Sequence, residues 1–253
     1  MVGVFDSGIG GLTVVREIKK KLPNLRVCYF GDTARVPWGG KSQKTIQKYS
    51  EEICDFLILK GAKKIVIACN TASALAGKNL REKYPQIEFF DVIDPVIDRI
   101  KREKIERVGV IGTKGTIGSG IYEKMVKNID RKNVVFSKAC PLLVPLAEEG
   151  WVENEIAKDV CEEYLKEFRS KNIEALILGC THYPLLKKSI SETVGKKVRI
   201  ISSAEEVVNK LFSLNFSNVK KTDSFYFSDW TADYQKLSQR ILGCKIKANI
   251  RKL

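Results

Sequence analysis

The amino-acid sequence predicts an α/β protein of two pseudosymmetric domains, each a mainly parallel sheet flanked by helices, with a site in the cleft between them. Three observations predict this class. Short β-branched runs alternate with longer amphipathic ones, the short runs are continuously apolar, and the whole pattern begins again at Arg107. Continuous apolar strands joined by crossover helices belong in a parallel sheet covered on both faces, because a half-exposed strand alternates polar and apolar residues.

The first half reads as strand Val2–Phe5, a helix near Leu12–Lys21, strand Val27–Phe30, a helix near Thr45–Lys60 and strand Ile65–Ala68. The second half repeats it with strand Val108–Ile111, strand Val134–Phe136, a helix near Asn154–Phe168 and strand Ala175–Leu178. Val2 and Val108 lie 106 residues apart, Val27 and Val134 107, and Cys69 and Cys180 111. A nearly constant offset over three motifs implies an internal duplication. Val198–Ile201 opens a further section, and the tail adds one strand, Ser224–Phe227, and one helix, Thr231–Leu242. The duplicated unit is complete near Ile201, so the expected domains are 1–94 with 205–253, discontinuous, and 95–204. No Gly/Ser-rich or proline-rich linker separates them, so the halves should pack tightly.

With 253 residues, 44% apolar and 29% charged, the chain has material for a sizeable core. No run approaches the roughly 20 apolar residues of a membrane helix. The N-terminus enters a strand directly. A cytoplasmic location and no membrane partner are the expectation. The net charge of +14 admits nucleic acid, an anionic substrate or a merely solvated surface. Basic residues fall in helical-looking stretches, Arg16 to Lys21, Lys101 to Lys104 and Lys245 to Lys252, without interleaved aromatics, which favours the solvated surface and requires no nucleic acid. Seven cysteines, with no CxxC pair and no His-rich spacing, argue against a disulfide framework and a structural zinc site. There is no P-loop, no full dinucleotide fingerprint and no metal-ligand cluster, so neither cofactor nor metal is expected.

Polar clusters sit where parallel strands end, the place at which open sheets bind ligands. Asp6-Ser7-Gly8-Ile9-Gly10-Gly11 follows the first strand and opens a helix, so its amides could approach an anion. Cys69 ends a strand and precedes Asn70-Thr71, while Cys180 ends the equivalent strand and precedes Thr181-His182. A lone strand-end cysteine is more often an inert core residue, but two at matching positions would face each other across one cleft. Opposed thiols suit inversion at a carbon, which needs a base on one face and an acid on the other. A thiol, with a reference pKa of about 8.5, can serve as either. His182 is the single histidine, placed to tune Cys180 or to bind a carboxylate, with Glu148 or Glu149 available to orient it.

These residues resemble the glutamate racemase family from end to end. The resemblance rests on Phe5-Asp6-Ser7-Gly8-Ile9-Gly10-Gly11-Leu12-Thr13-Val14, Gly31-Asp32-Thr33-Ala34-Arg35-Val36-Pro37, Ala68-Cys69-Asn70-Thr71-Ala72-Ser73, Val110-Ile111-Gly112-Thr113 and Leu178-Gly179-Cys180-Thr181-His182-Tyr183-Pro184-Leu185. It implies glutamate bound between two pseudosymmetric domains, Cys69 taking the proton from D-glutamate and Cys180 from L-glutamate, with Asp6, Glu148 and His182 assisting. It further implies that Asp6, Ser7, Trp38, Gly39, Asn70, Thr71, Thr181 and His182 hold the substrate, and that the product serves bacterial peptidoglycan. A homodimer is compatible with the sequence. Trp38 stands where the family usually has tyrosine, and Val96 where glycine is common; valine would stiffen the connection between halves if that glycine used φ > 0.

Three other readings compete. A racemase acting on aspartate or another acidic amino acid would keep both thiols. A basic nucleic-acid-binding module would need neither, and its affinity would fall steeply with salt. A cysteine hydrolase would use one thiol with His182 and a carboxylate.

Overall fold

The structure, a computed structural model, describes residues 1–214, 216 and 222–253. Strands β1 (Val2–Asp6), β2 (Val27–Gly31), β3 (Lys64–Ile67) and β4 (Glu88–Asp91) are separated by α1 (Leu12–Lys21), α2 (Gln43–Leu59) and α3 (Asn70–Lys83), and α4 (Asp94–Arg102) crosses to a second sheet. There β5 (Arg107–Gly112) is followed by α5 (Lys114–Gly118), α6 (Ile121–Ile129) and β6 (Val134–Ala139). Helices α7 (Leu143–Glu149) and α8 (Glu155–Leu165) lead to β7 (Ala175–Gly179), and α9 (Lys187–Val194) to β8 (Arg199–Ser202). The chain returns through α10 (Ser203–Phe212), and β9 (Ser224–Phe227), α11 (Ala232–Leu242) and β10 (Ala248–Ile250) complete the first sheet.

The first sheet runs β10-β9-β2-β1-β3-β4 and the second β6-β5-β7-β8. All pairings within them are parallel. The order β2-β1-β3-β4 is therefore the order β6-β5-β7-β8, which is the duplication seen in the sequence expressed as topology. In each sheet the order reverses beside the first strand of the unit, so a crevice opens between β1 and β3 and another between β5 and β7, at their carboxyl ends.

Alternation along each strand fills both faces of each sheet. In β1, Val2 and Val4 pack toward α1, α10 and α11 with Ile18, Leu211 and Ile241. Phe5 points the other way, to Ile53 and Leu57 of α2 and Ala76 and Leu80 of α3. In β5, Ile111 joins Leu165 and Ile190, whereas Val108 and Val110 join Ile100 of α4 and Val126 of α6. Buried on both faces, these strands carry no alternating polar face, which is why they read as unbroken apolar runs. Among the described residues no helix is long and apolar enough to cross a membrane.

Several expectations are corrected. The tail holds two strands, not one, because Ala248–Ile250 of the basic run Lys245–Lys252 pairs in parallel with β9 rather than coiling. Its lysines and arginine sit at a sheet edge, where charge discourages further pairing. The helix expected over Asn154–Phe168 ends at Leu165 and tightens into a 3-10 turn, Lys166–Lys171. Val96 lies in the first turn of α4, fully buried and without positive φ, so valine imposes no strain there. Residues 215 and 217–221, inside the expected 205–253 segment, lie outside the described residues.

Ile67 is fully buried in β3, whereas Leu59 at the end of α2 is 80% exposed. Urea unfolding is expected to show Ile67→Ala losing about 2–5 kcal/mol to the cavity it leaves, and Leu59→Ala changing stability by no more than about 0.5 kcal/mol. Equal losses would contradict this placement of the core.

Candidate active site

The carboxyl ends of β1, β3, β5 and β7 converge. Asp6 is the last residue of β1, Cys69 follows β3 as the N-cap of α3, Thr113 follows β5 as the N-cap of α5, and Cys180 follows β7. The two halves interlock at these ends. Thr13 Oγ1 donates to the carbonyl of Thr181 at 3.0 Å, and Thr181 Oγ1 donates to Asp6 Oδ1 at 3.5 Å. A Cβ on Gly10 would stand 2.5 Å from both Thr181 Oγ1 and His182 Cε1, so glycine is required by close approach at that point.

Around Cys69, the thiol donates to Ser7 Oγ at 3.5 Å, and its sulfur accepts the Ala72 amide at 3.5 Å in capping α3. The helix end and these hydrogen bonds favour a thiolate. Burial opposes them and dominates, and with the nearby Asp6 carboxylate it pushes Cys69 up to about 12. Cys69 is accordingly a thiol at neutral pH. Charge on Cys180 adds to the same shift, so the two sulfurs sense each other across the gap.

The surroundings of Cys180 are different. Its sulfur lies 3.8 Å from His182 Nδ1, and His182 Nε2 lies 3.0 Å from Glu148 Oε1 at the end of α7. Burial disfavours the imidazolium, but hydrogen bonds and negative charge from Cys180 and Glu148 together outweigh it and raise His182 to about 10. At neutral pH His182 then donates from both nitrogens, one toward each partner. Of the two acidic candidates to orient His182, Glu148 is the one hydrogen-bonded to it.

The glycine-rich turn departs from the simplest expectation of an open anion site. The Gly8 amide donates to Asp6 Oδ2 at 3.1 Å, and the amides of Gly11 and Ser7 also favour that carboxylate. Burial nevertheless holds the Asp6 carboxyl above the usual carboxylate range. The anion at the start of α1 is thus the chain's own side chain, itself placed beside Thr181.

Other expected residues divide into two groups. Thr71, Thr181, His182 and Ser7 lie in the gap with the cysteines. Trp38 is buried in the first-half core against Tyr49, 5.7 Å between ring centroids, so its indole is committed to packing. Gly39 meets the second half: its carbonyl accepts the Gly115 amide at 2.7 Å, and a Cβ there would come within 2.8 Å of Thr113. The Asn70 side chain is hydrogen-bonded by Tyr122 and Ser203.

Thr113 and Thr116 were not expected. Their hydroxyls form a cluster with Thr71, 2.9 Å for Thr71 to Thr113 and 3.0 Å for Thr113 to Thr116, bridging the halves beside Cys69. The signal was present: threonine after a strand, with a second threonine three residues on, marks a helix N-cap at a ligand-binding strand end. A cavity of about 340 Å³ lies elsewhere, lined by Asp91, Asp94, Asp98 and Lys210 among others. Its excess of carboxylates suits no anionic substrate, and it touches neither thiol.

The match to known proteins agrees with this geometry. The family model described as Asp/Glu/Hydantoin racemase fits residues 9–211. The chain belongs to that family. Among curated relatives, the glutamate racemase of Geobacter metallireducens is 45% identical over 253 residues, covering 97% of this chain and 93% of its own. That of Aquifex aeolicus is 44% identical, covering 98% and 96%. Of solved structures, glutamate racemase from Francisella tularensis in complex with D-glutamate superposes with a TM-score of 0.92 at 38% identity, covering 99% of this chain and 97% of that one. The Bacillus anthracis isoform RacE1 gives 0.95 at 35% identity, covering 100% and 97%. As a racemase of this family, the chain carries a site built to invert a stereocentre.

The His182–Glu148 pair has a consequence for stability. Cys180 and, after it, Glu148 raise the folded value to about 10 from an unfolded value of about 6.5, so the stability these contacts confer, of which Glu148 supplies part, is fully present below about pH 6.5 and is lost as pH rises through about 10. The melting temperature of wild type should therefore exceed that of Glu148→Gln most near pH 6, with the difference shrinking toward pH 10. A difference that grows with pH would contradict the assignment.

Proposed function

We propose that this protein interconverts L- and D-glutamate without a cofactor, moving the α-proton between Cys69 and Cys180. One observation carries the reading: the two thiols stand at corresponding ends of β3 and β7, in sheets of identical strand order whose ligand-binding crevices meet. A substrate α-carbon between them has one sulfur on each face, as inversion requires.

The two directions begin from unlike bases. The His182 imidazolium favours negative charge at Cys180, and Glu148 keeps that imidazolium charged and oriented. Cys180 then takes the α-proton of L-glutamate, and Cys69, held as a thiol, delivers one to the opposite face. Reversing the steps converts D-glutamate, with Asp6 beside Ser7 and Thr181 assisting at the Cys69 side. Ser7, Thr71 and Thr181 with their amides, the backbone at Trp38 and Gly39, the main-chain N–H of Asn70, and His182 hold the substrate's amino and carboxylate groups. Near-complete burial of both sulfurs excludes water from the carbanion and strengthens each of these contacts. The enzyme acts in the cytoplasm, and its D-glutamate supplies peptidoglycan.

The reading is tested by incubating the protein with L-glutamate in deuterium oxide with no added cofactor. D-glutamate bearing deuterium at Cα is expected, with turnover of aspartate at least about tenfold slower in kcat/KM, the discrimination about 1.4 kcal/mol of fit confers. Product retaining the original hydrogen, or equal turnover of aspartate, would contradict it.

A further inference from the structure

Between the two cysteine-bearing strands runs an unbroken chain of buried hydrogen bonds that the chemistry above does not use. Tyr122 Oη, on α6 of the second half, donates to Asn70 Oδ1 at 2.8 Å. Asn70 Nδ2 donates to Ser203 Oγ at 3.2 Å, and Ser203 Oγ donates to the Leu178 carbonyl at 3.1 Å. Tyr122, Asn70, Ser203 and Leu178 are each no more than 2% exposed. The path starts and ends in the second half and passes through the residue that follows Cys69. Its last acceptor is two residues before Cys180.

The Tyr122 ring closes the same loop by packing. A Cβ on Gly179, the residue before Cys180, would lie 3.4 Å from Tyr122 Cε2, so the ring edge stands beside that residue with space for little more than a methyl group between them. One side chain thus neighbours the residues next to both thiols: its hydroxyl bonds Asn70 and its ring edge lies near Gly179. Burial keeps that hydroxyl protonated, so it remains a donor throughout the working pH range. The Asn70 side chain engages both its carbonyl oxygen and its NH2 group within this chain.

We infer that Tyr122, acting through Asn70 and supported by Ser203, is a positioning residue that sets the separation of Cys69 and Cys180. The inference rests on the two-thiol reading above. Proton transfer is steep in distance, and a misplacement of about 1 Å can cost on the order of a hundredfold. Buried polar links of this kind also have a single satisfied arrangement, because slippage strands an amide or a hydroxyl without a partner. No side chain of the path is assigned to the substrate, Asn70 being assigned to it only through its main-chain N–H, so the expected signature is a change in chemistry with little change in binding.

Tyr122→Phe keeps the ring on Gly179 and removes only the hydroxyl. In both directions kcat is expected to fall by about tenfold to a hundredfold while KM moves by less than about threefold. A second readout separates misplacement from a loss of folded enzyme. In deuterium oxide, the ratio of deuterium entering unreacted substrate to deuterium entering inverted product should rise, because a carbanion awaiting a displaced second thiol is reprotonated more often on its original face. Wild-type kcat, or a reduced kcat with that ratio unchanged, would overturn the inference. Should Tyr122→Phe fail to fold, Ser203→Ala breaks the far end of the same chain and is read by the same two quantities. Cys69→Ser and Cys180→Ser run alongside: racemisation surviving in either refutes the two-thiol reading itself, whereas its loss in both beside a normal Tyr122→Phe refutes only the positioning role.

Discussion

Inversion at a tetrahedral carbon requires that a proton leave from one face and another arrive at the opposite face, so two proton carriers must be held apart at a fixed distance in one dry space. A single open sheet presents its ligand crevice on one side only. Two copies of the unit, with their crevices meeting, present one carrier from each side, and the identical order of β2-β1-β3-β4 and β6-β5-β7-β8 is the record of that solution. We propose the division into 1–94 with 205–253 and 95–204 on the same ground, since β9 and β10 extend the first sheet and α10 packs between α1 and α4 where the halves join.

Duplication places the thiols symmetrically, but it does not make them alike. Cys69 is surrounded by Asp6, Ser7 and the Ala72 amide, and burial beside a carboxylate keeps it protonated. Cys180 instead faces an imidazolium sustained by Glu148. The two thiols thus stand in unlike surroundings, which suits the proposed racemisation, where one must accept while the other donates. The glycine-rich turn serves this asymmetry: Gly10 allows the first half to press against Thr181 and His182, bringing Asp6 within reach of Thr181.

Much of this was legible in the sequence. Strands buried on both faces, such as Val2–Asp6 and Ala175–Gly179, announce themselves as apolar runs, and the spacing of Cys69 and Cys180 within repeated units pointed to a pair. What was not legible falls into recognisable kinds. β4 and β10 are short edge strands with exposed positions, and β10 lies within a basic run whose period-two pattern is too brief to oppose its charge. The lining hydroxyls of Thr113 and Thr116, and the inward commitment of the Asn70 amide to Tyr122 and Ser203, depend on contacts between residues far apart in the chain. The occupation by Asp6 of the amides before α1 is a local bond, but it competes with a substrate anion that sequence alone cannot weigh against it.

On the proposal that each thiol serves one enantiomer, the most direct measurement removes them one at a time and follows a half-reaction that needs a single base. With a β-chloro analogue of glutamate, loss of the α-proton expels chloride without any need for reprotonation. Cys69→Ser, which retains Cys180, is expected to release chloride from the L analogue in strong preference to the D, and Cys180→Ser from the D in preference to the L. The same enantiomer preference in both variants would contradict the assignment of one thiol to each face of the substrate.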